Sequence, residues 1–412
     1  MIKKIILSIG LLMSVVALAQ ESTSSPYSFY GIGDVKFKGT GENRMMGGVA
    51  VFKDSLRINL QNPASFAHLS LTAFAIGGTY NNNKLKTESA SEEAKRTALD
   101  YLAVGLPLGK FGAAFGLLPY SAIGYKIKNE NSTLGASNLD LTGTGGINKV
   151  FAGVGYQIMP NLSIGADVQY NFGQIETKSI EYITGVENGT GELNTSNASG
   201  VTFNTGLMYN RKITSKLNLY TSLTYSPESK ITLTNERNIS ILTQTGSLIE
   251  EQDIAVANTK IVLPSKVSFG AGIGEEKKWA AGAQVVMQQS SDMSNRFPDI
   301  NNVEFENSTA YSFGGYYIPN YNSYSSYFKR VTYRAGFRFE NTGLVIQDKP
   351  IEDYAFTLGT SLPIGNSVSN LNIGLEFGKK GTVYTGLVRE NYINLSFGLS
   401  ISDRWFVKRK YD

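Results

Sequence analysis

Residues 161–172, NLSIGADVQYNF, alternate without a break, and this period of two constrains the chain more than any other feature. Leu162, Ile164, Ala166, Val168, Tyr170 and Phe172 share one face, opposite Ser163, Gly165, Asp167, Gln169 and Asn171. Side chains alternate across a strand, so the segment is a strand with one oily and one polar face. The pattern recurs at Leu371, Ile373, Leu375 and Phe377, and again at Ile393, Leu395, Phe397, Leu399 and Ile401.

Soluble sandwiches alternate too, but their strands average about five or six residues, whereas a tilted bilayer crossing needs roughly 9–11. These runs reach the longer class. After residue 20 no apolar run approaches the ~18 residues of a spanning helix, so a membrane crossing must be made by strands. The first residues, MIKKIILSIGLLMSVVALAQ, read as a secretory signal peptide cleaved after Ala19. With no cysteine, attachment of a lipid to a processed Cys is ruled out; 43 glycines, 23 tyrosines and 21 phenylalanines suit tight turns and aromatic girdles.

Strands read near 69–80, 99–109, 111–126, 147–158, 161–173, 200–210, 217–227, 262–274, 278–289, 309–318, 328–340, 352–363, 369–378 and 388–402, about fourteen in all. Short turns such as 109–110 and 159–161 alternate with long polar connections at 81–98, 127–146, 174–199, 228–261 and 290–308. Outer-membrane barrels join strands in this way, with short turns in the periplasm. The expectation is an all-β, antiparallel transmembrane barrel in a Gram-negative outer membrane, both termini periplasmic. The expected division is a signal peptide at 1–19, a hatch at 20–68 and a barrel at 69–412. Segment 319–327 is long for a periplasmic turn, which leaves the strand count least determined late in the chain.

Little in the chain points to catalysis. His68 is the only histidine and no Gly-x-Ser-x-Gly elbow surrounds it, so no hydrolase, cofactor or metal site is expected; a hydrogen bond from hatch to strand is its expected role. ENGTGE at 187–192 lacks calcium-loop spacing, and LTGTGG at 141–146 precedes no helix that would hold a phosphate. A net charge of +4 without a basic cluster argues against nucleic acid. Arg330, Arg334 and Arg338 fall on one face, opposite Val331, Tyr333 and Phe337. They are expected in the lumen, either as an anchor for an anion or paired with Glu340, Glu376 or hatch acids.

Residues 20–68 lack alternation but carry Phe29, Ile32, Phe37, Met45, Met46, Val49 and Phe66, which need burial. A barrel of about fourteen strands is too wide to be filled by its own side chains, so this segment is expected to plug it. The order SPYSFYGIGD (25–34), GENRMMGGVAV (41–51) and NPA (62–64) resembles the hatch of FadL-type long-chain fatty-acid and aromatic-hydrocarbon transporters. GTGGINKVFAGVGYQIMPNLSIG (143–165), YSFGGYYIP (311–319) and DRWFVKRK (403–410) resemble a Bacteroidota-like branch.

That resemblance implies a hatch turn at Asn62, Pro63 and Ala64 lying against a kinked third strand that opens sideways. Ala114, Gly116 and Pro119 are the corresponding positions, and Pro119, unable to donate to the ladder, suits local unpairing. The implied function is passive uptake of hydrophobic or amphipathic small molecules by lateral diffusion, with outer-membrane lipids around the barrel. The alternative is a barrel of the same fold acting as a subunit of an outer-membrane protein-assembly or secretion machine, its partners other outer-membrane proteins.

Overall fold

The computed structural model describes residues 23–293, 302–364 and 368–405. The expected signal peptide and most of the closing DRWFVKRK motif lie outside them. Fourteen antiparallel strands form the wall: Thr72–Lys86 (β1), Ser91–Leu108 (β2), Phe111–Asn129 (β3), Ser137–Met159 (β4), Leu162–Ile183 (β5), Asn188–Lys212 (β6), Leu217–Ser226 (β7), Lys266–Glu275 (β8), Trp279–Gln288 (β9), Ser308–Tyr317 (β10), Thr332–Ile346 (β11), Lys349–Pro363 (β12), Asn370–Lys380 (β13) and Arg389–Asp403 (β14). β14 pairs with β1 from Arg389↔Lys86 to Asp403↔Thr72, and the barrel is closed. Closure satisfies the backbone polar groups that an open sheet would leave bare in lipid.

The alternation predicts the two faces. Ile393, Phe397 and Ile401 are exposed on the outside of β14, whereas Asn394, Ser400 and Ser402 are buried inside. The connections at the long-hairpin end differ from expectation. The polar stretches near 81–98, 127–146 and 174–199 are largely paired strand, so that β1–β2 turns over within 87–90 and β5–β6 within 184–187. Further strands at Ser229–Thr243, Leu248–Ile254 and Thr259–Leu263 extend the wall at that end. These extensions are mostly polar, and their apolar pairs at strand spacing, such as Ile231 and Leu233, are too short to mark strands in the sequence; backbone pairing to neighbours does.

Residues 23–71 lie inside the barrel. They form a 3-10 turn at Pro26–Phe29, a short strand at Asp34–Val35, a helical turn at Gly41–Arg44 and a 3-10 helix at Pro63–His68. Two rungs of glycine make room for them. Gly112, Gly155, Gly165 and Gly206 are register partners across β3–β6, and a Cβ on Gly112 would lie 1.8 Å from the Phe66 carbonyl oxygen. Gly272, Gly282, Gly314 and Gly336 are partners across β8–β11 and face Phe52 and Met46. Backbone or bulky plug side chains thus sit flush on a wall that has no Cβ at those positions. Met45, Met46, Val49 and Val51 are buried there. Each contributes roughly 1.5–3 kcal/mol by leaving water.

Candidate functional site: the plug and the seam in the wall

Three adjacent strands bend at one level. In β3 the register with β4 shifts between Pro119 and Ser121; in β4 and β5, Gly145, Gly146 and Gly173 take positive φ. Below the bend β3 pairs with β2 as far as Leu117↔Leu102, and beyond that pair the two strands separate. The seam thus opened faces the plug. Its short strand pairs with the freed edge of β3, Asp34 opposite Ala122 and Val35 opposite Ser121, and Lys36 donates its backbone N–H to the Tyr120 carbonyl at 3.0 Å. Gly33, at φ +92°, permits the approach, because a Cβ there would lie 2.6 Å from the Ala122 carbonyl oxygen. Further along the same strand Gly124 donates its N–H to the Ser28 hydroxyl at 3.1 Å.

Ion pairs fix the plug across the lumen. Asp34 accepts from Lys380 of β13 at 2.8 Å; burial alone would raise its carboxyl, but Lys380 and Lys36 hold it far below the usual carboxylate range. Arg44 pairs with Asp100 of β2 at 2.9 Å and Glu376 of β13 at 3.3 Å. Lys38 pairs with Asp353 of β12 at 2.8 Å, and Glu42 accepts from Ser400 at 2.6 Å and Asn372 at 2.8 Å. Every one of these partners is an inward-facing residue of a different strand or rung, so the plug is held from many sides at once.

The Asn-Pro-Ala turn builds its own helix start. The Asn62 side chain accepts the Ala64 N–H at 2.9 Å while its amide donates to Ser222 Oγ at 2.8 Å and the Leu207 carbonyl at 3.2 Å; Pro63 occupies the first helical turn, where its missing N–H is harmless. This places the turn differently from expectation. It lies against β4–β7, and its helix meets β3 at Gly112, near the short turns. The segment beside Pro119 is Asp34–Lys36. Ala114 and Gly116 do face inward below the seam, Ala114 in the apolar cluster with Phe66 and Tyr101.

His68 closes that helix, its Nε2 3.0 Å from Ser163 Oγ of β5, a link of plug to wall as its isolation in the sequence suggests. Burial, assisted by Lys53, lowers its pKa to about 4. The three arginines do not share one environment. Arg334 and Arg338 are buried inside β11, Arg338 bonded to Glu376 at 2.9 Å and Asp353 at 3.3 Å, and Arg334 to Ser361. Arg330 lies before β11 in the loop 318–331, stacked on Tyr327. The alternation extends through Arg330 in sequence, but the strand starts only at Thr332. Arg338 thus balances carboxylates and the plug.

Between plug and wall remains a lumenal cavity of about 200 Å³ lined by Lys149, Asp167, Gln169, Asn204, Ser222 and Lys266, among others. These six come from five strands, and in the sequence each is only one polar position in an alternating run. Glycines recurring at inward positions of consecutive strands were a legible signal for the seat of the plug.

The model of the family described as BamG matches residues 1–412. This is a different family from the FadL-type transporters that the motifs resemble. No curated protein matches the chain. Among solved structures, the toluene transporter TodX of Pseudomonas putida is similar at 16% identity, covering 91% of this chain and 100% of that one, with a TM-score of 0.62. The toluene transporter TbuX of Ralstonia pickettii follows at 13% identity, 88% and 98% coverage and a TM-score of 0.58. A Pseudomonas aeruginosa FadL homologue gives 12%, 90% and 98%, and 0.59. At such identities the likeness is one of fold.

Proposed function

From the premise that this chain belongs to the BamG family, we propose that it is an outer-membrane barrel working as a subunit of a protein-assembly or secretion machine, with its short-turn end in the periplasm. The observation that carries this reading is the closed seam: where β2 leaves β3, the chain's own strand Asp34–Val35 takes the vacated edge. A greasy molecule leaving sideways would have to displace it together with the Lys380–Asp34 pair. The space behind it is mixed, with Lys149, Asp167 and Lys266 beside Phe37, Leu118 and Phe151. Binding sites for hydrophobic ligands are mostly apolar. A barrel sealed by its own plug acts through its surface.

A second reading, passive uptake of a hydrophobic or amphipathic small molecule, is supported by the fold shared with the toluene transporters TodX and TbuX and by the break in pairing at Leu102↔Leu117. In that case Ala114, Gly116 and Pro119 would border the exit and the plug strand would be its gate.

One experiment separates the two. The protein is purified in mild detergent from its native membrane, and a deletion strain is assayed both for uptake of labelled toluene and a long-chain fatty acid and for assembly of other barrels. The expected result is co-purifying outer-membrane proteins, impaired assembly on deletion, and uptake equal with and without the gene. Uptake that depends on the gene while other barrels assemble normally would replace the first reading by the second.

A further inference from the structure

The outside of β9–β13 carries a dent beside the short turns. Its floor is one rung of small residues, Ala281, Gly315 and Ala335, which are register partners, and the rung continues into Leu358 and Leu375. The rung nearer the short turns holds Trp279, Tyr317 and Tyr333; the rung on the other side holds Phe313, Phe337 and Phe356. The small floor leaves an open apolar groove of about 780 Å³, walled by Trp279, Tyr317 and Tyr333 and continuing over Leu358, Ile373 and Leu375.

Below the groove the loop 318–331 arches over the short-turn end. Tyr333 donates its hydroxyl to the Phe328 carbonyl at 3.2 Å and Tyr327 donates to the Pro363 carbonyl at 2.9 Å, so the loop spans from β10 to the β12–β13 turn. Tyr324 and Phe328 are largely exposed. Aromatic rings at this level belong in a membrane interface. The charges here are Glu275, Glu276, Lys277, Lys278, Lys329 and Arg330. Lys278 pairs with Glu275 at 3.1 Å, and Lys277 lies over the Tyr321 ring at 5.2 Å. Arg330, stacked on Tyr327, has no hydrogen-bond acceptor for its Nε. The loop itself, 318–331, carries two cations and no acid.

We propose that this groove and loop hold one anionic phospholipid, an acyl chain lying on Ala281, Gly315 and Ala335 between the aromatic rungs and the phosphate meeting Lys329 and Arg330. The inference rests on the orientation proposed above, which puts the short-turn end at the phospholipid leaflet, and not on the identity of any protein partner. Apolar walls beside two cations, one of them Arg330 with an Nε lacking an acceptor, complement an amphiphile with a negative head. An uncharged chain would leave those cations unused.

The test uses the full-length protein in mild detergent, with phosphatidylglycerol and phosphatidylcholine as probes and native mass spectrometry as the readout. The parent is expected to retain phosphatidylglycerol in preference to phosphatidylcholine. Ala335→Trp, which fills the floor with a lipid-compatible side chain, should lower retention of both roughly tenfold, the scale of a lost well-buried contact. Lys329→Glu with Arg330→Glu should abolish the preference and leave the chain-dependent part. Folded yield of each variant is followed by the heat-dependent shift in gel mobility, and Ala281→Leu serves as a second filling variant. Equal retention by parent and both filling variants, or no headgroup preference in the parent, overturns the proposal. So does capture of a protein in place of lipid by a photo-crosslinker at position 335 in intact cells. Either failure leaves the co-purification result of the previous section standing or falling by itself.

Discussion

Lys36 gives its backbone N–H to the carbonyl of Tyr120 at 3.0 Å, one residue past the proline that disturbs β3. Through this bond the N-terminal segment serves as a piece of wall. The strand edge freed from β2 would otherwise expose unpaired groups, and each such group costs several kcal/mol in hydrocarbon.

The pairing of Val35 with Ser121 gives the first prediction. Val35→Cys with Ser121→Cys, in a chain with no native cysteine, should form a disulfide on export and raise the resistance of residues 23–68 to protease. Under the subunit reading the cross-linked protein supports assembly of other barrels as well as the reduced one. Loss of that activity on oxidation would mean that the plug strand moves in the working cycle.

The glycine rung makes a second. Gly112→Leu drives a side chain into the Phe66 carbonyl, and overpacking of this kind costs about 1–3 kcal/mol or more. The plug should become protease-sensitive, whereas Ala113→Leu, on the lipid side of the same strand, should not change it. The comparison is read from limited digestion of purified, folded protein.

Acid should loosen the seat of the 3-10 helix. Docked His68 has a pKa near 4 because burial and Lys53 disfavour its charge, while the undocked residue titrates near 6.5. Between these values the undocked form binds a proton that the docked form refuses, so docking is unaffected above about pH 6.5 and weakens progressively toward pH 4. Hydrogen exchange of residues 63–68 measures this, and His68→Gln should flatten that part of the profile.

Arg44 joins the plug to Asp100 and Glu376 on two different strands. Arg44→Met leaves Asp100 without its cation and Glu376 with Arg338 alone, a loss of about 3–5 kcal/mol when one member of a buried pair is removed. The expected outcome is a lower unfolding midpoint in detergent; adding Asp100→Asn should restore part of it. An unchanged midpoint would show the network to be hydrated.

On the lipid face, Phe397→Arg should block assembly, since a charge at mid-bilayer costs about 2–4 kcal/mol. Phe397 points outward, and its neighbour Ser396 turns in to donate to the Gly374 carbonyl beside Met45. Ser396→Arg should therefore also fail, but by displacing the plug, which protease sensitivity of residues 23–68 distinguishes from failed insertion.

The sequence by itself determined the wall. Alternation through segments such as 161–172 and 388–402 depends only on neighbours along the chain, and a face that must meet lipid writes its period plainly. It also determined that residues 25–66 need burial, and that His68 is isolated from any catalytic set. Only the tertiary structure decided where the plug touches. Asn62 and Pro119 stand fifty-seven positions apart in sequence, yet the strand that reaches Pro119 comes from residues 34–36, because contact across a lumen is set by the register of fourteen closed strands. The fates of Arg330 and Arg338 likewise diverged: an even spacing puts residues on one face only while the strand lasts, and this strand begins at Thr332. The groove over Ala281, Gly315 and Ala335 was hidden for the same reason, being a rung across strands that no one-dimensional pattern contains.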